Sequence, residues 1–166
     1  MTLDFDLINV PGITYAKLLI KVGSGNDPLN RKGAHQLLGA LLSRGCGRYN
    51  HIDIANIVET AGAGLRCETN EEGIIISLKC AEEDAETLLP LLSLMINEPI
   101  INKNQLKLEK HLTIQALTRQ KENPFHLAFD GWRKVTYEGT QYTHDPLGTQ
   151  SDIEKTNRQD LLLLAK

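Results

Sequence analysis

Gly33-Ala34-His35-Gln36-Leu37-Leu38-Gly39-Ala40-Leu41-Leu42 is the stretch from which the fold is read. Alanine and leucine at 34, 37, 38, 41 and 42 recur at helical spacing. That pattern turns one face of a helix toward a core and directs Lys32, Gln36 and Ser43 toward solvent. A single histidine, His35, interrupts the apolar and small-residue surface. Residues 14–22 precede it as a strand in which Leu18, Ile20 and Val22 alternate with Lys17, Leu19 and Lys21, and Gly23-Ser24-Gly25-Asn26-Asp27-Pro28 supplies a hairpin or strand-to-helix turn.

Further along, 3–10 is a second short strand, separated from 14–22 by Pro11-Gly12. Residues 52–61 repeat Ile54, Ile57, Val58 and Ala61 and stop at Gly62, as a helix ending on a left-handed glycine does. Residues 64–69 and 73–80 form a hairpin around Asn70-Glu71-Glu72-Gly73, with Ile74-Ile75-Ile76 in the buried strand. A helix over 82–96 opens on acidic residues, buries Leu88, Leu91, Leu92 and Met95, and is expected to kink at Pro90. Asn102 caps a long helix to about 122, and Asn123-Pro124 ends it and starts the next, to about 137. In that helix Phe125, Ala128, Phe129 and Trp132 share one side, read as a core face rather than a ligand-binding aromatic box. An irregular loop spans 139–149, and the capping patterns Ser151-Asp152-Ile153-Glu154 and Thr156-Asn157-Arg158-Gln159 start two short helices.

With 166 residues and 41% hydrophobic content, the chain has enough apolar material for a single domain over 1–166. A net charge of −3 with scattered basic residues leaves no electrostatic footprint for nucleic acid, and Gly23-Ser24-Gly25 lacks the lysine and further glycine of a phosphate loop. Cys46, Cys67 and Cys80 are an odd set without short paired spacing, so a disulfide framework and a structural zinc site are both disfavoured. Asp4 and Asp6 break the first ten residues as a secretory signal, and no apolar run reaches membrane-spanning length. A soluble protein of the reducing cytoplasm is expected.

Taken together, the strand, the histidine helix, Glu59-Thr60-Ala61-Gly62-Ala63-Gly64-Leu65, Met95-Ile96-Asn97-Glu98-Pro99, Asn123-Pro124 and Pro146-Leu147-Gly148-Thr149 resemble, in order and spacing, the N-terminal domain of the insulinase-like, or M16, metallopeptidases. The resemblance implies an α+β fold, an antiparallel sheet packed by helices that makes half of the M16 αβ roll. It also implies a chain that stops before the domain's last strand and lacks a C-terminal domain. In that family the helix reads His-x-x-Glu-His, two histidines holding zinc and the glutamate activating its water. Here His35 keeps the first position, Leu38 takes the glutamate's and Gly39 the second histidine's. The family's third ligand is a glutamate about 76 residues further on, and 76 residues after Gly39 stands Ala116.

One imidazole therefore remains of three ligands, and neither leucine nor alanine can bind zinc or accept a proton. His35 is read as a hydrogen-bonded or half-exposed histidine rather than a metal ligand. His51, His111, His126 and His144 form no ligand pair at i, i+4, and Cys46 is read as a small buried residue. No catalytic or metal residue is expected, and zinc would belong only to a catalytic partner. The family's edge strand, often Asn-Ala-x-Thr, pairs with extended substrate; Leu65, Arg66, Cys67, Glu68 and Thr69 stand there, with only the threonine matching. The resemblance thus implies a non-catalytic subunit, similar to the metal-free partners in mitochondrial-processing-peptidase-like heterodimers, that completes a peptide chamber with a zinc-bearing M16 subunit or within a homo-oligomer. Two alternatives stay open: an active zinc metalloendopeptidase with an atypical ligand set, and a purely structural scaffold subunit.

Overall fold

In a computed structural model that describes residues 11–166, the alternation after Pro11-Gly12 becomes strand β1 (Ile13–Ile20); the strand expected over 3–10 lies outside the described residues. There follow helix α1 (Ala34–Leu42), strands β2 (Gly45–Cys46) and β3 (Tyr49–Asn50), helix α2 (His51–Thr60), and strands β4 (Gly64–Thr69) and β5 (Ile74–Ala81). Helices α3 (Ala85–Asn97), α4 (Lys103–Lys121), α5 (Pro124–Thr136), α6 (Gln150–Lys155) and α7 (Arg158–Leu164) complete the described chain.

The three long strands pair antiparallel in the order β1-β5-β4, with Leu18 and Cys67 flanking Ile76 across the sheet. Strand alternation sends Ile74, Ile76, Leu78 and Cys80 of β5 into the core with Ala16, Leu18, Ile20, Leu65 and Cys67. Tyr15, Lys17, Leu19, Arg66, Glu68 and Lys79 occupy the opposite, open face. The α+β reading is borne out: helices cover one face of an antiparallel sheet. Among them α1 is the hub, packed against β4, α4 and α7, with Ala34, Leu37, Leu38, Leu41 and Leu42 all buried. Each buried leucine is worth about 1.5–3 kcal/mol relative to an exposed one, so α1 anchors the domain.

The asparagine signals were read correctly. The Asn102 side chain accepts from the Asn104 and Gln105 amides, Asn123 accepts from Phe125 ahead of Pro124 at the first turn, and Gly62 (φ 56°) follows α2. α3 continues on both sides of Pro90 but starts at Ala85, after a single 3-10 turn over Glu82–Asp84. The last two helix starts are shifted from those expected. Thr149 caps α6 and Asn157 caps α7, because the Asn157 carboxamide accepts from Gln159 and Asp160 while the Thr156 hydroxyl donates back to the Asp152 carbonyl at 2.7 Å. The ribbon β2-β3 was not foreseen; two residues per strand carry no periodicity.

Two expectations about exposure are overturned. Lys32 is 7% exposed rather than solvated. It is not on the helix at all: Gly33 at φ 90° starts α1 one residue later, and the loop at Leu147-Gly148 closes over Lys32 and Gly33. The Phe125, Phe129 and Trp132 side of α5 is not a core face; all three rings are exposed. Periodicity located an apolar face correctly but could not say what that face meets.

Candidate functional site

Three of the family's motif positions fall on α1 and the fourth on α4, and the structure shows what each now does. His35 is 2% exposed, and its Nδ1 lies 2.7 Å from Asp27 Oδ1. The same carboxylate accepts from the Gly33 amide at 2.6 Å and the His35 amide at 2.9 Å. Asp27 thus caps the amino end of α1 from six residues upstream of Gly33, where amides point outward and the helix dipole favours an anion. A carboxylate on Nδ1 is also the arrangement that orients a metal-bound imidazole through its other nitrogen. In this chain the pair has a structural duty that needs no metal. Sequence reading missed Asp27 because Gly33 holds the cap position and the acid reaches it by folding back.

Leu38, at the general-base position, is buried in the core. Gly39, at the second histidine's position, faces β4: a Cβ placed there would collide with the Thr69 hydroxyl and stand 3.5 Å from Ile74 Cγ2. The Thr69 hydroxyl donates to the His35 carbonyl at 3.5 Å. Helix and edge strand have closed on each other where a second imidazole would need room. Ala116 lies half-buried on α4. The buried carboxylate of that helix is Glu109, 6% exposed, which accepts from Arg44 Nε at 2.9 Å and Nη2 at 2.7 Å. Glu109 sits two turns before Ala116, about 10 Å along the axis, and its charge is answered by Arg44. The pair went unseen because neither residue belongs to a local pattern.

The four family positions therefore offer one imidazole in place of three zinc ligands, and the residues present do not fit that metal. Among the described residues no group of three or more His, Cys, Asp or Glu side chains could hold a metal ion. His51, His111, His126 and His144 are scattered over α2, α4, α5 and the loop before α6.

Residues Leu65 to Thr69 fall on β4, one of the two outer strands of the described sheet. The Asn70 amide donates to the Gly73 carbonyl at 3.0 Å, closing the hairpin turn. Alternation along an antiparallel ladder then turns the backbone groups of Leu65, Cys67 and Thr69 away from β5, toward the free edge. Their side chains point to the core, while Arg66 and Glu68 pair at 3.0 Å on the open face. Burial pushes the Cys67 thiol up to about 12, a contact with Ser43 offsetting part of that rise. Cys46, Cys67 and Cys80 are all free thiols.

An antiparallel α+β domain whose histidine helix packs closely against strand β4 is what fold and site together define. The chain belongs to the family described as Insulinase (Peptidase family M16), whose model matches residues 12–150. It is 21% identical over 145 residues to the bovine mitochondrial-processing peptidase subunit beta, covering 87% of this chain and 30% of that protein. To the non-peptidase homolog YmxG of Helicobacter pylori it is 24% identical over 148 residues, 89% of this chain and 34% of that one. Among solved structures, a peptidase M16 inactive domain from Pseudomonas fluorescens superposes with a TM-score of 0.87 at 22% identity, covering 93% of this chain and 38% of that one. A protease from Helicobacter pylori gives 0.85 at 18% identity, over 93% and 38%. The chain spans about a third of the length of the curated relatives it matches.

Proposed function

We propose that this M16 domain is non-catalytic, and that it pairs with a zinc-bearing M16 subunit and presents β4 to an extended peptide. The observation that carries the reading is the closure at Gly39 and Thr69, beside a histidine already engaged by Asp27. A scaffold that retains helix, edge strand and hairpin but loses the base and two ligands keeps the means to hold peptide and not the means to cleave it. The names of two relatives, a non-peptidase homolog and an M16 inactive domain, support the same reading. Three free thiols, two of them fully buried, suit the reducing cytoplasm.

The test begins with zinc content by elemental analysis after dialysis against trace zinc, alongside binding of labelled, unstructured decapeptides with and without a zinc-bearing M16 subunit. The expected result is substoichiometric zinc and peptide binding that alternate N-methylation of the peptide abolishes, since main-chain hydrogen bonds carry strand addition. One zinc per chain, lost on His35→Ala, would overturn the reading in favour of an active enzyme. Absence of peptide binding in both settings would leave a scaffold subunit.

A further inference from the structure

Strand alternation leaves the open face of the sheet to short and charged side chains. Lys17 on β1 stands opposite Ser77 on β5, Ser77 stands opposite Arg66 on β4, and Lys79 stands opposite Gly64. Gly64 and Ser77, the two smallest, form the floor of a shallow hollow beside the β4 edge, with Lys17, Arg66 and Lys79 around it. A Cβ placed on Gly64 would meet nothing within 4 Å, so no side chain stands between Lys79 and the free edge. The lining holds one carboxylate, Glu68, which pairs with Arg66 at 3.0 Å. Among the described residues Lys17 and Lys79 have no ion-pair partner. They are diagonal neighbours on adjacent strands, close enough for their charges to repel. Three cations to one anion thus crowd this patch of a chain whose net charge is −3.

We propose that the extended peptide received by β4 is acidic, with carboxylates on the two successive outward residues that stand opposite Gly64 and Arg66. This specificity rests on the reading that β4 takes up a peptide strand. An added strand places every second side chain on the open face. A carboxylate opposite Arg66 forms a direct cross-strand pair with the guanidinium. The Arg66–Glu68 pair yields to it readily, because those side chains are 76% and 48% exposed and exposed pairs contribute little. A residue opposite Gly64 lies two strand spacings, roughly 10 Å, from Lys79. Glycine puts nothing in between, and the gap is within the combined reach of a glutamate and a lysine side chain. Lys17 stands one strand further off and adds its field without contact. The residue opposite Glu68 is neutral or basic. Main-chain hydrogen bonds would accept any sequence, and the hollow supplies the selection.

The probes are labelled decapeptides in which threonine alternates with glutamine, and two successive glutamines are kept or replaced by two glutamates or two lysines. Binding is measured with and without a zinc-bearing M16 subunit, at about 0.05 and 0.5 M salt, across which screening lengths shrink severalfold. The glutamate peptide is expected to bind roughly three- to tenfold more tightly than the glutamine peptide at low salt, as two cross-strand charge pairs allow, and the lysine peptide no more tightly. High salt should close the gap. Lys79→Glu, an exposed substitution, should keep the circular dichroism and the affinity for the glutamine peptide yet abolish the preference. Equal binding of the three peptides, tighter binding of the lysine peptide, or a preference that survives both Lys79→Glu and Arg66→Gln would overturn the acidic specificity. In those cases, binding of the glutamine peptide that alternate N-methylation abolishes would leave strand addition itself standing. Failure of all three peptides to bind would remove strand addition and the acidic specificity together.

Discussion

Replacing Gly39 by alanine tests whether helix and edge strand are closed at the old ligand position, because two opposing effects give the outcome a sign. In an ordinary helix interior Gly→Ala stabilises by about 1 kcal/mol. Here the new methyl must enter space held by the Thr69 hydroxyl, with Ile74 Cγ2 next to it, and overpacking a buried contact costs typically 1–3 kcal/mol. The hydrogen bond from Thr69 to the His35 carbonyl is long, at 3.5 Å, so its loss adds about 0.5 kcal/mol at most. The net expectation is destabilisation of roughly 1–2 kcal/mol, which in a domain of this size lowers the melting temperature by roughly 2–6 °C. The assay is urea unfolding of four proteins: the parent, Gly39→Ala, Thr69→Ala and the double variant. With Thr69 truncated the clash is gone, and Gly39→Ala should then be neutral or stabilising, a coupling of at least about 1 kcal/mol in the cycle. Stabilisation by Gly39→Ala in the parent background would show that α1 and β4 are loosely apposed, and the argument from closure would fail.

Asp27→Ala strands two backbone amides and the His35 ring nitrogen at a buried helix start; a loss of about 3–5 kcal/mol is expected in denaturant titrations. Asp27→Asn, which keeps an acceptor, should cost less. Arg44→Met leaves Glu109 buried without its partner, for which unfolding experiments should show a loss on the order of 2–4 kcal/mol, partly recovered by lysine. With its thiol pushed up to about 12, Cys67 should react with iodoacetamide at pH 7.5 at least about tenfold more slowly than an unperturbed cysteine, the smaller thiolate fraction being partly offset by the higher nucleophilicity of a more basic thiolate, and at the ordinary rate once the chain is unfolded. Mass-resolved labelling of the native protein checks this, and rapid modification of Cys67 would contradict its burial.

Local chemistry made most elements legible in the sequence. Asn102, Asn123 and Gly62 each act within four residues of themselves, and the alternation of β5 follows from one face being covered. What escaped reading is held by partners distant in sequence. Asp27 reaches the start of α1 across a loop, Arg44 meets Glu109 across 65 residues, and Lys32 is covered by a loop more than a hundred residues later. The setting of α5 belongs with these: Arg133 ties it to Glu71 on the β4-β5 turn, 62 residues away, and to the loop after α5. At the site, the resemblance pointed to Leu38, Gly39 and Ala116, but only the structure showed how closely Gly39 packs on Thr69.

The β4-β5 turn is gripped from outside at two successive residues. Glu71 meets Arg133, and Glu72 accepts from the Tyr142 hydroxyl. An edge strand free at both ends can fray or slide by a residue, and a slide of one residue exchanges its two faces. β4 is moored at its carboxyl end to a helix and a loop that lie outside the sheet. A visiting strand would meet a ruler whose zero mark does not move.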